Sequence, residues 1–229
     1  MDRHDEIKAA YRSLGSGASF YDGMITCTTI VGRAVCKIVW DLGRHESRDY
    51  LSRALSAIPK EFTGSLLEVP VGTGVLTAPL YKTLPHADIT CLDYSEEMML
   101  RAQQRAKNNC LSNISFVQGD IGKLPFADNS FDIVLSLNGF HAFPDKEAAY
   151  SEVFRVLKFG GCFCGCFYIV GETPRTDWFI RHIYERLGYF TSPYETAESL
   201  KERLEQQYEA VEVSSVKSIA CFACRKELK

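Results

Sequence analysis

The sequence predicts a single doubly wound α/β domain with a mostly parallel, seven-stranded, Rossmann-like sheet. After Pro59, short apolar runs alternate with amphipathic stretches, which is the pattern of βαβ units. Before Pro59, apolar residues recur at helical spacing and predict three helices without a strand. The last two strand-like runs follow each other directly and predict an antiparallel C-terminal hairpin. We therefore expect an N-terminal helical cap over residues 1–60 and a ligand-binding domain over residues 61–229.

The individual elements follow from the same patterns. Ser95 is a suitable helix N-cap, because Glu96 and Glu97 occupy the first turn, where the helix dipole favours acidic residues. The predicted strands cover residues 65–71, 88–93, 114–118, 131–137, 161–170, 210–216 and 218–224. The predicted helices of the second region cover residues 76–83, 95–108, 146–157, 178–187 and 197–205.

Charge and hydropathy narrow the classes of partner. The chain has 26 basic and 29 acidic residues, a formal net charge of −3, and no long block of like charge. This balance points to neither nucleic acid nor an anionic membrane surface. The apolar stretches are short or interrupted, and the N-terminus has no apolar core, so we expect no signal peptide and no integral membrane association. A cytoplasmic protein is the resulting expectation; the sequence does not indicate its oligomeric state.

Nine cysteines are many for a chain of this length. The chain is too large to need a disulfide framework, so we interpret the cysteines as reduced. Cys162, Cys164 and Cys166 alternate along one predicted strand and are expected on one face, which suits core packing better than a tetrahedral metal site. Cys221 and Cys224 form a CxxC without a second CxxC or a histidine pair. No metal site is expected.

A glycine turn carries the strongest chemical signal. In LLEVPVGTGVL an apolar strand leads into Gly72, Thr73 and Gly74 and then into a helix, so the backbone is able to approach a ligand closely. Asp93 lies 19 residues after Gly74 at the end of the next predicted strand, where a carboxylate can accept both hydroxyl protons of a ribose. Together these residues predict a nucleoside site.

The residues around the glycine turn distinguish a dinucleotide site from a site for S-adenosylmethionine. A dinucleotide fingerprint requires a third glycine where Thr77 stands, and no Walker motif occurs. Glu68, inside the first strand, would repel a pyrophosphate but suits the sulfonium and ammonium groups of S-adenosylmethionine. The charge of the site therefore favours the methyl donor over NAD.

Four segments in order resemble the motifs of class I S-adenosylmethionine-dependent methyltransferases. They are LLEVPVGTG, CLDYSEEMM, QGDIGKLPFADNSFDIVLSLNGFHAF and EVFRVLKFGG, and they are similar to the small-molecule branch that includes ubiquinone and menaquinone biosynthesis enzymes. The resemblance covers most of the chain between residues 66 and 170. It implies S-adenosylmethionine as the cofactor, S-adenosylhomocysteine as the product and a small-molecule methyl acceptor. The apolar and aromatic residues of the cap and of GETPRTDWFIRHIYERLGYF predict an apolar pocket, so we expect the acceptor to be apolar or aromatic.

The same resemblance implies roles for individual residues around the cofactor. Tyr21, in FYDGMITCTTIVGRAVCKIVW, is similar to a lid residue in the quinone methyltransferases; the alternative is an ordinary cap helix that packs Phe20, Met24 and Ile25 on the core. The implied contacts are Glu68 beneath the donor, Gly72, Thr73 and Gly74 along its amino acid part, Asp93 at the ribose, Tyr94 and Met98 beside the adenine, Asp120 at its amine, Ile121 on its ring, and Leu137 and Asn138 below the methionine part.

Two residues leave the functional prediction open. Pro70 occupies the position where the family usually has its first glycine, and a proline offers no N–H and crowds a turn. This departure supports an alternative in which the protein binds S-adenosylmethionine without turnover, as a regulator or partner subunit. His141 follows the fourth predicted strand and is the candidate catalytic base; the alternative is a structural loop histidine. An arsenic or thiol methyltransferase that uses the cysteines is a third, weaker possibility.

Overall fold

The computed structural model describes residues 18–227 and contains one mixed, seven-stranded sheet. The strands are β1 Ser65–Glu68, β2 Asp88–Asp93, β3 Ile114–Gln118, β4 Phe131–Leu137, β5 Leu157–Tyr168, β6 Tyr208–Val216 and β7 Ile219–Lys226. The helices are α1 Ala18–Ile25, α2 Ile30–Val39, α3 Arg44–Leu55, α4 Ala78–Tyr81, α5 Glu96–Asn108, α6 Lys146–Val156, α7 Pro174–Phe179, a π-helical turn Ile180–Tyr184, and α8 Ala197–Glu205.

The strand order is β3-β2-β1-β4-β5-β7-β6. The pairs from β3 through β5 are parallel, whereas β7 runs antiparallel to both β5 and β6. From β1 the chain adds β2 and β3 on one side of the sheet, and it then adds β4 and β5 on the other side. Open α/β sheets bind ligands at such a switch in strand order, at the carboxyl ends of the strands. The predicted fold class, including the antiparallel C-terminal hairpin, is confirmed.

Several element boundaries differ from the prediction. β1 ends at Glu68 rather than reaching Val71, because Pro70 cannot donate to a strand ladder. β5 begins at Leu157, directly after α6, and is longer at its start than predicted. The predicted helix over residues 178–187 begins earlier, at Pro174, and its second half is π-helical.

The two faces of the sheet carry separate apolar clusters. Cys162, Cys164 and Cys166 lie on the face covered by α3, in one buried cluster with Tyr50 and Ala54. Phe163, between Cys162 and Cys164, lies on the opposite face in a cluster with side chains of α6 and α8. The prediction that the three cysteines share one face is therefore confirmed. Among residues 18–227, no group of three or more His, Cys, Asp or Glu side chains is arranged to hold a metal ion.

The three predicted helices before the sheet are present as α1, α2 and α3. The expectation that all cysteines are reduced is wrong for one pair, since Cys27 and Cys36 form a disulfide with a Cα–Cα distance of 6.3 Å. The pair meets because α1 and α2 fold back on each other. A domain boundary at residue 60 stays a prediction. None of the described helices has the length and apolar character needed to cross a membrane.

Candidate functional site

A cavity opens where β1, β2 and β4 end and is bordered by the glycine turn; we call it the glycine-loop cavity. Gly72 and Gly74 have positive φ angles of 55° and 67°, so the turn requires the conformational freedom of glycine. The cavity lining includes eleven of the twelve residues predicted to bind a cofactor, namely Glu68, Gly72, Thr73, Gly74, Asp93, Tyr94, Met98, Asp120, Ile121, Leu137 and Asn138.

Asp93 anchors the glycine turn at the end of β2. The Gly72 N–H donates to Oδ2 and the Ser95 N–H donates to Oδ1, each at 2.8 Å. Burial raises the pKa of the Asp93 carboxyl to about 6, although these N–H groups act in the opposite direction. Each ionised carboxylate oxygen retains a further acceptor position, so the group is able to accept hydroxyl protons while it holds the turn.

Glu68 is buried beneath the same cavity. The Tyr81 hydroxyl donates to its Oε2 at 2.6 Å and the Thr77 hydroxyl donates to the same atom at 3.0 Å. Burial, with the nearby Asp93 charge adding to it, raises the pKa of Glu68 to about 8. A cation in the cavity would favour the ionised carboxylate. Thr77, which replaces the third glycine of a dinucleotide fingerprint, therefore orients the acidic group.

Pro70 also lines the glycine-loop cavity and follows a cis peptide bond from Val69. Its ring lies against Gly139, where a Cβ atom would approach the Pro70 Cδ to 2.4 Å. Gly139 therefore provides the space for the ring by lacking a side chain. The expectation of an extended strand through Pro70 is not met, although the Val71 N–H still donates to the Leu92 carbonyl at 2.9 Å.

The cap is attached to the glycine turn through Asp22 of α1. The Thr73 hydroxyl donates to Asp22 Oδ1 at 2.6 Å, and Arg105 of α5 forms an ion pair with the other carboxylate oxygen. The Arg105 Nε also donates to the Thr73 carbonyl at 2.9 Å. These contacts hold α1 at the cavity edge. The side chain of Tyr21, the predicted lid residue, lies outside the described residues.

A second cavity of about 440 Å³ lies beside the first; we call it the aromatic chamber. Its walls come from α1, α2, α3, the end of β5 and the segment that follows α7. The Phe190 ring centroid lies 6.0 Å from that of Trp40 and 5.6 Å from that of Tyr168. The disulfide of Cys27 and Cys36 forms part of the wall. The aromatic lining residues are Trp40, Tyr50, Tyr168, Phe179, Tyr184, Tyr189 and Phe190.

His141 lines the aromatic chamber in a fixed orientation. Its ring stacks on Phe190 at a centroid distance of 4.1 Å, and its Nδ1 accepts the Tyr168 N–H at 3.3 Å. Burial lowers the pKa of His141 to about 3, and the positive charge of Lys146 adds to this effect. The ring is therefore neutral with its proton on Nε2, because Nδ1 is occupied as an acceptor. His141 therefore lines the chamber as a neutral imidazole, and a catalytic role for it stays a prediction.

The two cavities meet at Ile25 and Asn138, which line both of them. Asn138 follows β4 with a positive φ of 55°, and its N–H donates to the Cys166 carbonyl at 2.7 Å. The two cavities therefore adjoin each other at the end of β4.

Residues 63–214 match a family model described as a methyltransferase domain. The chain belongs to this methyltransferase family. An uncharacterized chloroplastic methyltransferase of Arabidopsis thaliana is 32% identical over 133 residues, which are 56% of this chain and 38% of the relative. Demethylmenaquinone methyltransferase of Staphylococcus carnosus is 38% identical over 110 residues, or 48% of this chain and 45% of the relative. These matches span less than half of each relative's length.

Solved structures show that this methyltransferase has the expected fold. The putative methyltransferase in a complex with the Haloferax volcanii Trm112 methyltransferase activator has a TM-score of 0.67 at 18% identity, covering 95% of this chain and 97% of that one. Phosphoethanolamine N-methyltransferase 2 of Haemonchus contortus, with phosphomonomethylethanolamine and S-adenosylhomocysteine, also has a TM-score of 0.67 at 16% identity, covering 88% and 59%. The sequence-based prediction of a methyltransferase is confirmed at the level of the family.

The groups that join distant segments carry no local signal in the sequence. Asp22 stands in the FYDG segment that pointed to Tyr21, but nothing in the sequence pairs it with Arg105. Gly139 follows the predicted site residue Asn138 and was recognisable only by its contact with Pro70. The apolar and aromatic residues of the cap and of residues 171–190 predict an apolar pocket, but which of them line it depends on how these segments converge in the fold.

Proposed function

We propose that this protein transfers the methyl group of S-adenosylmethionine to an oxygenated aromatic ring bound in the aromatic chamber. The observation that carries the proposal is the meeting of the two cavities at Ile25 and Asn138. Such an arrangement suits the placement of a donor methyl and an acceptor atom in line and away from water, which is the main requirement of methyl transfer.

The glycine-loop cavity suits S-adenosylmethionine in charge and in shape. Glu68 and Asp93 are both buried there, so the site favours a cationic ligand and disfavours a pyrophosphate. Gly72 and Gly74 allow the amino acid part of the donor to approach the backbone. Asp93 then accepts from the ribose, and Tyr94 and Met98 flank the adenine, as the family resemblance implies.

The acceptor class is inferred from the chamber and from one relative. The chamber walls are apolar and aromatic, and the Staphylococcus carnosus relative is named for demethylmenaquinone. We extend this class to the present chain in its reduced, hydroquinone form. An electron-rich ring carbon attacks the methyl carbon, the methyl C–S bond breaks with its electron pair on sulfur, and the ring proton passes to water. The products are the methylated ring and S-adenosylhomocysteine.

His141 is proposed to hold the acceptor rather than to deprotonate it. Because its Nδ1 accepts the Tyr168 N–H, the Nε2–H is the group left to donate, and a hydroquinone oxygen is a suitable acceptor. This hydrogen bond increases the acidity of the hydroxyl and orients the ring toward Asn138. The catalytic role first predicted for His141 is thereby narrowed to a positioning contact with the substrate.

The test uses methyl-labelled S-adenosylmethionine and a naphthohydroquinone without a side chain. We expect labelled methyl on the ring, detected by mass spectrometry, and binding of S-adenosylhomocysteine, detected by calorimetry. Asp93→Ala should weaken this binding roughly 100-fold or more and lower methyl transfer with it, whereas Asp88→Ala, a matched change at the exposed start of β2, should preserve both.

The possible failures are distinct. Absence of S-adenosylhomocysteine binding would refute the donor site. Binding together with methyl transfer only to acceptors other than hydroquinones would refute the acceptor class. Binding without transfer to any acceptor would favour the alternative of a non-catalytic binder, for which Pro70 is the sequence-based argument.

A further inference from the structure

Exposed apolar side chains of the described residues are concentrated in one region. Nine large ones are exposed, and six of them lie on α2 and on the segment from α7 to residue 187. These two segments are in contact, because the Thr176 hydroxyl donates to the Val39 carbonyl at 2.7 Å. The six residues, which we call the apolar rim, are Ile30, Val31, Ile38, Trp178, Ile183 and Leu187.

The apolar rim is continuous with the lining of the aromatic chamber. Ile183 and Leu187 line the chamber and are also 38% and 54% exposed, so the chamber reaches the surface at these side chains. On α2, Val31, Val35 and Ile38 follow at helical spacing, and Val35 lines the chamber. A molecule that leaves the chamber here therefore passes over an apolar surface.

Basic residues accompany the rim. The two segments, residues 30–39 and 174–187, contain five Lys or Arg residues against two Asp or Glu residues, although the whole chain has a net charge of −3. Lys37 and Arg175 share the Asp41 carboxylate. Arg33, Arg181 and Arg186 form no ion pair with any residue of the described part of the chain. Whole-chain charge therefore conceals a local positive surface around the chamber mouth.

We propose that the apolar rim docks on the surface of a lipid bilayer with anionic headgroups, from which a lipid-tailed acceptor enters the aromatic chamber. Apolar side chains of interfacial helices enter the headgroup boundary, and arginines bind anionic lipids there. Trp178 suits this boundary because its ring is apolar and its N–H is polar. Docking depends on the rim alone, whereas delivery of an acceptor rests on the proposed function.

The test is flotation of the full chain with vesicles of phosphatidylcholine, with and without phosphatidylglycerol. Replacing two rim residues that do not line the chamber, Trp178→Ser with Ile38→Ser, should lower partitioning onto the anionic vesicles roughly tenfold or more. The matched control, Leu100→Ser with Phe159→Ser, changes two exposed apolar residues outside the rim and should stay within about twofold of wild type. Arg181→Gln and Arg186→Gln should each lower it about fivefold, only when phosphatidylglycerol is present.

Lack of binding to both kinds of vesicle, or an equal loss in the control pair, would overturn the proposal. A second outcome would also overturn it: the wild type sediments as a dimer and binds no vesicles, and the rim pair of substitutions makes it a monomer. The rim would then be a contact between copies of this chain. In a transfer assay, the rim pair should slow methylation of a tailed hydroquinone in vesicles but not of the tail-less one. If the protein docks through the rim but methylates neither the tailed nor the tail-less hydroquinone, the docking proposal stands and the proposed function is refuted.

Discussion

The glycine-loop cavity and the aromatic chamber are constructed from different parts of the chain. With the exception of Ile25, the first is lined by residues between 68 and 144, at the ends of neighbouring strands and in the loops that follow them. The second is lined by residues from Met24 to Ile219, taken from the cap, β5 and the segment after α7. The shape of the glycine-loop cavity is therefore determined mainly by backbone geometry, and that of the aromatic chamber mainly by the identity of its side chains.

The fold therefore fixes the shape of the glycine-loop cavity, whereas the shape of the aromatic chamber can vary with the sequence of the helices that line it. A donor site made by strand ends and a glycine turn depends on the sheet itself, so it accompanies the fold. An acceptor site made by helices outside the sheet is able to change its shape without disturbing the donor. Mutations in the two sites should therefore change different kinetic constants, and this expectation orders the following tests.

The largest effect is expected for Asp93→Ala, which should lower S-adenosylhomocysteine affinity roughly 100-fold or more. The variant loses ribose hydrogen bonds worth about 1.5–3 kcal/mol each and also the acceptor of the Gly72 and Ser95 N–H groups. Calorimetry measures the affinity, and a thermal melt with Asp93→Asn, which retains one acceptor oxygen, separates binding from folding. Affinity within a few-fold of wild type would show that the ribose lies elsewhere.

Donor affinity should rise with pH, because the free protein holds two carboxyls with raised pKa values. Asp93 has a pKa of about 6 and Glu68 a pKa of about 8, and a cationic donor favours their ionised forms. Ionising Glu68 at pH 7 costs about 1.4 kcal/mol, so affinity should increase about tenfold from pH 7 to above pH 8. Binding at pH 7 should release protons, measured by calorimetry in buffers of different ionisation enthalpy. Glu68→Gln should remove this release; proton uptake would contradict the scheme.

Asp22→Ala tests the connection between the two regions and should lower donor affinity about fivefold. The ion pair with Arg105 is partly exposed, which limits its contribution to about 1 kcal/mol. The matched control is Asp49→Ala, which removes an ion pair with Arg53 on the exposed surface of α3. Equal titration curves for the two variants would mean that α1 does not support the donor site.

His141→Phe should raise the acceptor KM about fivefold and leave S-adenosylhomocysteine affinity unchanged, because it removes one neutral hydrogen bond. His141→Gln should restore part of the loss, since its amide also donates. Burial keeps the pKa of His141 near 3, so at saturating donor its removal should leave the rate profile between pH 5 and 8 unaltered. Loss of an acid limb in His141→Phe would instead identify the histidine as a base.

The sequence predicted the glycine-loop cavity because its residues are tied to strand ends. Gly72, Gly74 and Asp93 could be placed together because they lie at or just after the ends of two consecutive predicted strands. The Cys27–Cys36 disulfide and the orientation of the His141 ring could not be predicted in this way. The disulfide depends on how α1 and α2 fold back on each other. The orientation of His141 depends on the Tyr168 N–H, which lies 27 residues further along the chain. Local pattern determines backbone geometry, whereas packing between distant segments determines the acceptor side.

The smallest effect is expected for Pro70→Gly, which should change donor affinity by no more than a few-fold. Stability should fall by about 0.4–1 kcal/mol, because glycine gives the unfolded chain more freedom. Calorimetry and a thermal melt measure the two quantities. A tenfold gain in donor affinity, about 1.4 kcal/mol, would show that the proline obstructs the cavity and would favour the non-catalytic binder.

Gly139→Ala sharpens this test, because the Pro70 ring fits only beside a residue that lacks a side chain. The added Cβ would lie 2.4 Å from the Pro70 Cδ and 2.6 Å from the Phe143 Cζ, so overpacking should cost about 1–3 kcal/mol in the wild-type background. In the Pro70→Gly background one of these clashes is absent, and the same alanine should cost less. The non-additivity of the two changes measures the fit between Pro70 and Gly139. Strictly additive effects would mean that the Pro70 ring does not need the space beside Gly139. The missing side chain of Gly139 would then keep room in the glycine-loop cavity instead.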